Sequence, residues 1–241
     1  MATTEPPASP TPWRDHPGVA ANERLTALTG GVLLVLFAVE IITVVPLRSL
    51  LSIHFFVGVL LMGPLAVKVA STGWRFARYY TRHPAYRRKG PPDPVSRRLA
   101  PVLLAATLAV VGSGIALAAT GPAAPIPLRI HVVSFLVWLV VGAVHVVVYV
   151  RRVPALIADD WRTAPPVPVT GRRGRLAVNV AALVAAAGAA ALLLPTVAAW
   201  TAWLNQGVAG PGIVGVVVIA ATAAVILRRR RAAQQMSPPP P

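Results

Sequence analysis

Residues 128–150 read LRIHVVSFLVWLVVGAVHVVVYV. Apart from Arg129, His131, Ser134, His145 and the near-terminal Tyr149, the stretch is apolar from end to end. Wound as a helix it is long enough to cross a hydrocarbon core of ~30 Å, which takes about 20 residues. Ionisable groups are costly inside a bilayer, so a membrane-length helix that keeps two histidines marks a place where chemistry is expected.

Five more apolar stretches lie around it, at Leu25–Val45, Leu50–Ser71, Leu99–Thr120, Leu176–Trp200 and Pro211–Leu227. The pattern predicts an all-α fold, a polytopic transmembrane bundle of six helices. Composition agrees. Of 241 residues, 56% are hydrophobic and 12% charged, with mean hydropathy +0.66. A soluble domain needs a surface with roughly 25–35% Lys, Arg, Glu and Asp. There is no cysteine, which excludes disulfide frameworks, thiolate catalysis and cysteine-held iron–sulfur clusters.

The net charge of +16 would suit nucleic acid, but its placement points elsewhere. Two basic residues precede the first stretch, eight fall between Gly73 and Arg98, six between Arg151 and Arg175, and four at Arg228 to Arg231. In a six-helix topology these 20 of the 23 share one side, and only Arg48 and Arg129 fall on the other. Cytoplasmic loops carry such an excess, so both termini and the long loops are expected in the cytoplasm, near lipid headgroups and with no nucleic-acid partner. The first stretch exceeds a signal-peptide apolar region and lacks a small-residue cleavage site after Pro46, so it reads as retained. The chain divides into a disordered tail (1–24), a four-helix membrane domain (25–160), a linker (161–175), a two-helix hairpin (176–228) and a basic Pro-rich tail (229–241).

The second and fourth stretches run in the same direction. His54 lies four residues past Leu50 and His131 three past Leu128, so both sit roughly 5–6 Å inside the outer boundary. Two imidazoles at matched depth are what bis-histidine haem ligation requires. His145 follows His131 by 14 residues, which returns it to within about 40° of the same face and about 21 Å further along. The residue 14 positions after His54 is Lys68, where a second histidine would complete an inner pair. Gly112-Ser113-Gly114 lets a flat macrocycle or a neighbouring helix approach closely. Arg48 and Arg129 flank the outer histidines and suit haem propionates or act as interface anchors. Glu40 suits orienting His54, relaying a proton, or a structural bond, and Lys68 suits snorkelling to headgroups. His16 and His83 fall in cytoplasmic segments, with His83 read as a solvated loop residue.

This pattern resembles the four-helix membrane b-type cytochromes of the cytochrome b(561) kind over about residues 22–160. In that family the fourth helix carries two haem ligands 14 residues apart, matched here by His131 and His145. A ligand near the outer start of the second helix is matched by His54. The remaining family ligand lies near the start of the first helix, where this chain reads Asn22-Glu23-Arg24-Leu25-Thr26. The resemblance therefore implies one haem b on the outer side, metal ligands His54 and His131, and an inner haem site lost or altered. Ser71 to Arg75, Tyr79 to Thr81 and Tyr86 to Arg88 also resemble a family of actinobacterial membrane proteins, which implies the bacterial plasma membrane. The implied function is electron transfer between quinone and an outer-face redox partner. Its rivals are a haem-free membrane scaffold or accessory subunit, and a proton-coupled transporter using Glu40, Lys68 and the histidines.

Overall fold

The computed structural model describes residues 16–91, 94–163, 165 and 168–206, and every regular element among them is helical. They are α1 Pro17–Val44, α2 Leu47–Tyr80, α3 Pro84–Lys89, α4 Pro94–Thr120, α5 Pro125–Tyr149, α6 Arg152–Ala158, α7 Arg172–Leu193 and α8 Val197–Leu204, with a 3-10 turn at Leu194–Thr196. α1, α2, α4, α5 and the continuous run Arg172–Leu204 are each long and apolar enough to span a membrane. By these helices the chain is a multi-pass membrane bundle. The sixth apolar stretch, at 211–227, and both chain ends lie outside the described residues.

Proline sets several helix starts. Pro17, Pro84 and Pro125 open α1, α3 and α5, where a fixed φ helps and a missing N–H costs nothing. Both α1 and α2 run further toward the basic end than their apolar stretches. α1 begins at Pro17 because Asn22, Glu23 and Arg24, polar and out of pattern, all find partners. Asn22 donates to the Ser71 carbonyl at 3.1 Å. Glu23 meets Lys89 and Arg152, and Arg24 meets Asp160 at 2.9 Å. α2 continues to Tyr80 with Trp74, Phe76 and Tyr80 exposed, the placement of aromatic side chains at a membrane interface. The short α3 folds back beneath it, burying Val19, Ala85 and Tyr86 together. Burial pushes the Lys89 ammonium down to about 8, against the opposing pull of Glu23.

The bundle is built from pairs. α1 packs on α2, α4 packs on α5, and α7 returns across the sequence to pack on α2. Backbone contact between the two hairpins is sparse, and side chains bridge them. Phe37 of α1 lies against Trp138 of α5 at 4.2 Å between ring centroids, and Trp138 donates to Thr107 of α4 at 3.0 Å. The large apolar side chains point mostly outward, while Thr29, Ser71, Thr107, Ser113 and Ser134 are buried. Lipid replaces water on the outside, so small polar residues take the contacts between helices.

Gly63 sets the approach of α7 to α2. A Cβ there would lie 2.8 Å from the Ala182 carbonyl carbon, closer still to its oxygen, and 3.0 Å from the Ala186 Cβ. In an open helix Gly→Ala stabilises by up to about 1 kcal/mol. At position 63 the sign reverses, since overpacking costs about 1–3 kcal/mol. Gly63→Ala is expected to lower the thermal midpoint in detergent. Gly73→Ala, where nothing lies within 4 Å of the added carbon, is expected to leave it unchanged or raise it.

Candidate functional site

α1 ends and α2 begins at the end of the bundle away from most of the basic residues, joined through Pro46. α2 kinks at Leu50, where φ is −111° and ψ 16°, and His54 follows one turn later. Its Nδ1 lies 3.1 Å from Glu40 Oε1 and 3.0 Å from Thr43 Oγ1, both on α1. The Thr43 hydroxyl donates its one proton to the Glu40 carbonyl at 2.7 Å. With that proton on the carbonyl and Glu40 ionised, His54 Nδ1 donates and Nε2 keeps its lone pair. Gly58 leaves room for this arrangement, since a Cβ there would come within 3.1 Å of Glu40 Oε1.

His131 repeats the pattern on the other hairpin. Its Nδ1 is 3.1 Å from the Val110 carbonyl and 3.2 Å from Ser113 Oγ, both on α4. A carbonyl only accepts, and the Ser113 proton goes to the Ala109 or Val110 carbonyl, so Nδ1–H is again the donor. The ring passes close over Gly114, where a Cβ would be 3.4 Å from the His131 Cε1. Gly112-Ser113-Gly114 thus acts locally: Ser113 contacts the imidazole and Gly114 makes room for it. The structure therefore joins Glu40, Thr43 and His54 within one hairpin and Val110, Ser113 and His131 within the other, with each cluster toward the same end of the bundle.

The remaining candidates are placed differently. Arg48 and Arg129 are exposed at the same end as the two histidines. His145 stacks on Tyr149, with centroids 4.8 Å apart, and the Tyr149 hydroxyl donates to Ser96 at 2.8 Å. Lys68 turns into the α1–α2 interface rather than toward headgroups. Its ammonium donates to the Thr26 carbonyl at 2.7 Å and crosses Gly30, where a Cβ would be 3.0 Å away. Of the contacting residues, Thr43 was missed in the sequence. Its one signal is its place a single turn after Glu40, which only a helix reading with both side chains facing α2 would reveal.

Fixing a ligating histidine through its second nitrogen sets the tautomer and ring direction, and a carboxylate partner also raises basicity at the first. Both imidazoles here are held that way. Among the described residues no group of three His, Cys, Asp or Glu side chains could hold a metal ion. Two imidazoles alone are few for a bare ion, but they complete the coordination of an iron whose other four ligands come from a macrocycle. The residues fit a haem on that ground. No family model, no curated protein and no solved structure matches the chain.

Proposed function

We propose that the chain is an integral membrane b-type cytochrome-like protein, binding one haem b between His54 and His131 and passing electrons between quinone in the lipid and a redox partner on the outer face. One observation carries this reading. Two imidazoles on opposing hairpins are both held at Nδ1 by oxygens of a neighbouring helix, which leaves Nε2 to a ligand.

Haem iron, when bound, supplies one-electron exchange between Fe(II) and Fe(III). The chain's own residues do the rest. Glu40 and Thr43 orient His54, and Val110 and Ser113 orient His131. The sparse contact between the hairpins suits a flat group between them, and Arg48 and Arg129 suit pairing with its propionates. The basic end faces the cytoplasm of a bacterial plasma membrane in this reading, because 20 of 23 Lys and Arg gather there.

The test is the visible spectrum of the purified chain, expressed with haem supplied. The expected result is a Soret band, close to one haem per chain, and release into acid acetone because no cysteine exists to tether it. A clean preparation without a Soret band overturns the proposal.

A further inference from the structure

The basic end of α2 carries charge that the fold leaves unmatched. Trp74 and Arg78 are one helical turn apart, and the Arg78 guanidinium lies over the Trp74 ring, its carbon 4.5 Å from the ring centroid. The ring attracts the cation but offers its N–H groups no oxygen. Arg78 Nε is buried without a hydrogen-bond partner. Among the described residues neither Arg75 nor Arg78 forms an ion pair. The two are three residues apart, so both cations share one face of the helix.

The acid that serves this region is already engaged. Glu23 meets Lys89 and also Arg152, the latter at 2.9 Å. Burial is the main cause of the depressed Lys89 value, and the positive charges of Arg75 and Arg152 push it the same way. Cations therefore outnumber the carboxylate that answers them. The depth is set by the aromatic side chains. α2 is a membrane span, and Trp74, Phe76 and Tyr80 are exposed near its basic end. Such rings settle at headgroup level, so the guanidinium beside Trp74 stands where lipid phosphates lie.

We propose that Arg75 and Arg78 form a binding site for the phosphate of one anionic phospholipid in the leaflet at the basic end, with Trp74 holding the Arg78 guanidinium in place for it. Guanidinium forks match phosphate oxygens in pairs, which a point charge does not. The stack on Trp74 orders one fork in advance and lowers the entropy cost of capture. Charge selects the headgroup. A zwitterionic lipid brings its own cation into these positive surroundings, whereas phosphatidylglycerol brings the phosphate charge alone.

This site is independent of the haem reading and is tested on the full-length chain in detergent after removal of native lipid. Dioleoylphosphatidylglycerol is expected to be retained at one molecule per chain in native mass spectra and to raise the thermal midpoint. Dioleoylphosphatidylcholine at the same mole fraction is expected to bind about tenfold more weakly. Inorganic phosphate in large excess is expected to leave the lipid bound, because acyl chains hold the headgroup at the site. Arg75→Gln with Arg78→Gln is expected to weaken phosphatidylglycerol binding about tenfold or more. Trp74→Leu keeps the charge and is expected to cost about threefold by freeing Arg78. Arg87→Gln with Arg88→Gln removes the same charge from exposed positions on α3 and is expected to cost about threefold or less, since salt screens charges that do not touch the headgroup. Equal binding of the two lipids, equal losses in the two double variants, or displacement by inorganic phosphate overturns the proposal. If a variant folds poorly, the wild-type lipid preference and the phosphate competition decide the matter.

Discussion

His54→Ala and His131→Ala are each expected to abolish a low-spin six-coordinate haem spectrum, leaving high-spin or empty protein, while His145→Ala leaves that spectrum largely intact. The asymmetry follows from what holds each ring. His54 is held from α1 by Glu40 and Thr43, and His131 from α4 by Val110 and Ser113. Each offers Nε2 at the same end of the bundle. His145 lies 14 residues along α5 from His131, about 21 Å in a helix, and its ring stacks on Tyr149. It cannot replace either outer ligand over that distance. Absorption spectra and haem content per chain check the result, with membrane-inserted protein quantified alongside. If His145→Ala removes the signal and His54→Ala does not, the haem belongs to the basic half of the bundle and the ligand assignment fails.

Asp160→Ala is expected to be the most damaging substitution outside the spans. The Asp160 carboxylate accepts from Arg175 at 2.6 and 2.9 Å through two separate nitrogens, and from Arg24 at 2.9 Å. All three side chains are 5–7% exposed. Removing one partner from a buried charge cluster costs about 3–5 kcal/mol, because the charges left behind stay desolvated. Two guanidinium groups from α1 and α7 would then face each other without the anion between them. Acid should reproduce part of the effect. Burial favours the neutral carboxyl, but the hydrogen bonds from Arg175 and Arg24 outweigh it and hold Asp160 below its ordinary 3.8. The folded state therefore binds this proton less readily than the unfolded state. The stabilisation is complete above 3.8 and is lost as pH falls through the depressed value. Thermal midpoints at neutral pH should show the full difference between wild type and Asp160→Ala, and midpoints in acid should show it shrinking. A difference that persists undiminished in acid would exclude ionised Asp160 as the cause.

The spans were legible because membrane crossing is a matter of length and apolarity, and each described span contains the stretch that the sequence marked to within one residue. The helix ends toward the basic side were not, because they are fixed by partners rather than pattern. Asn22, Glu23 and Arg24 look like a polar tail until Ser71, Lys89, Arg152 and Asp160 arrive from far along the chain. Asp160 was likewise hidden, one of two adjacent acids at the end of the segment assigned to the membrane domain, followed by a basic linker. Matched depth of His54 and His131 could be counted along their helices. Their orientation could not, because it depends on Thr43 and Ser113, and hydroxyls of this kind occur throughout the spans. His83 read as solvated because its immediate neighbours are polar, and its contact with His16 closes across 67 positions of sequence.

The return of α7 onto α2 has a consequence for biogenesis. The α4–α5 hairpin enters the bilayer between the synthesis of α2 and that of α7, so the groove around Gly63 forms early and is filled late. Until residue 182 has emerged and inserted, the Gly63 face of α2 has lipid in the place of its eventual neighbour. The contact between α2 and α7 is therefore made only after both hairpins have been synthesised. Docking of the later helix then covers this face of α2, so the order of synthesis sets when the Gly63 contact closes.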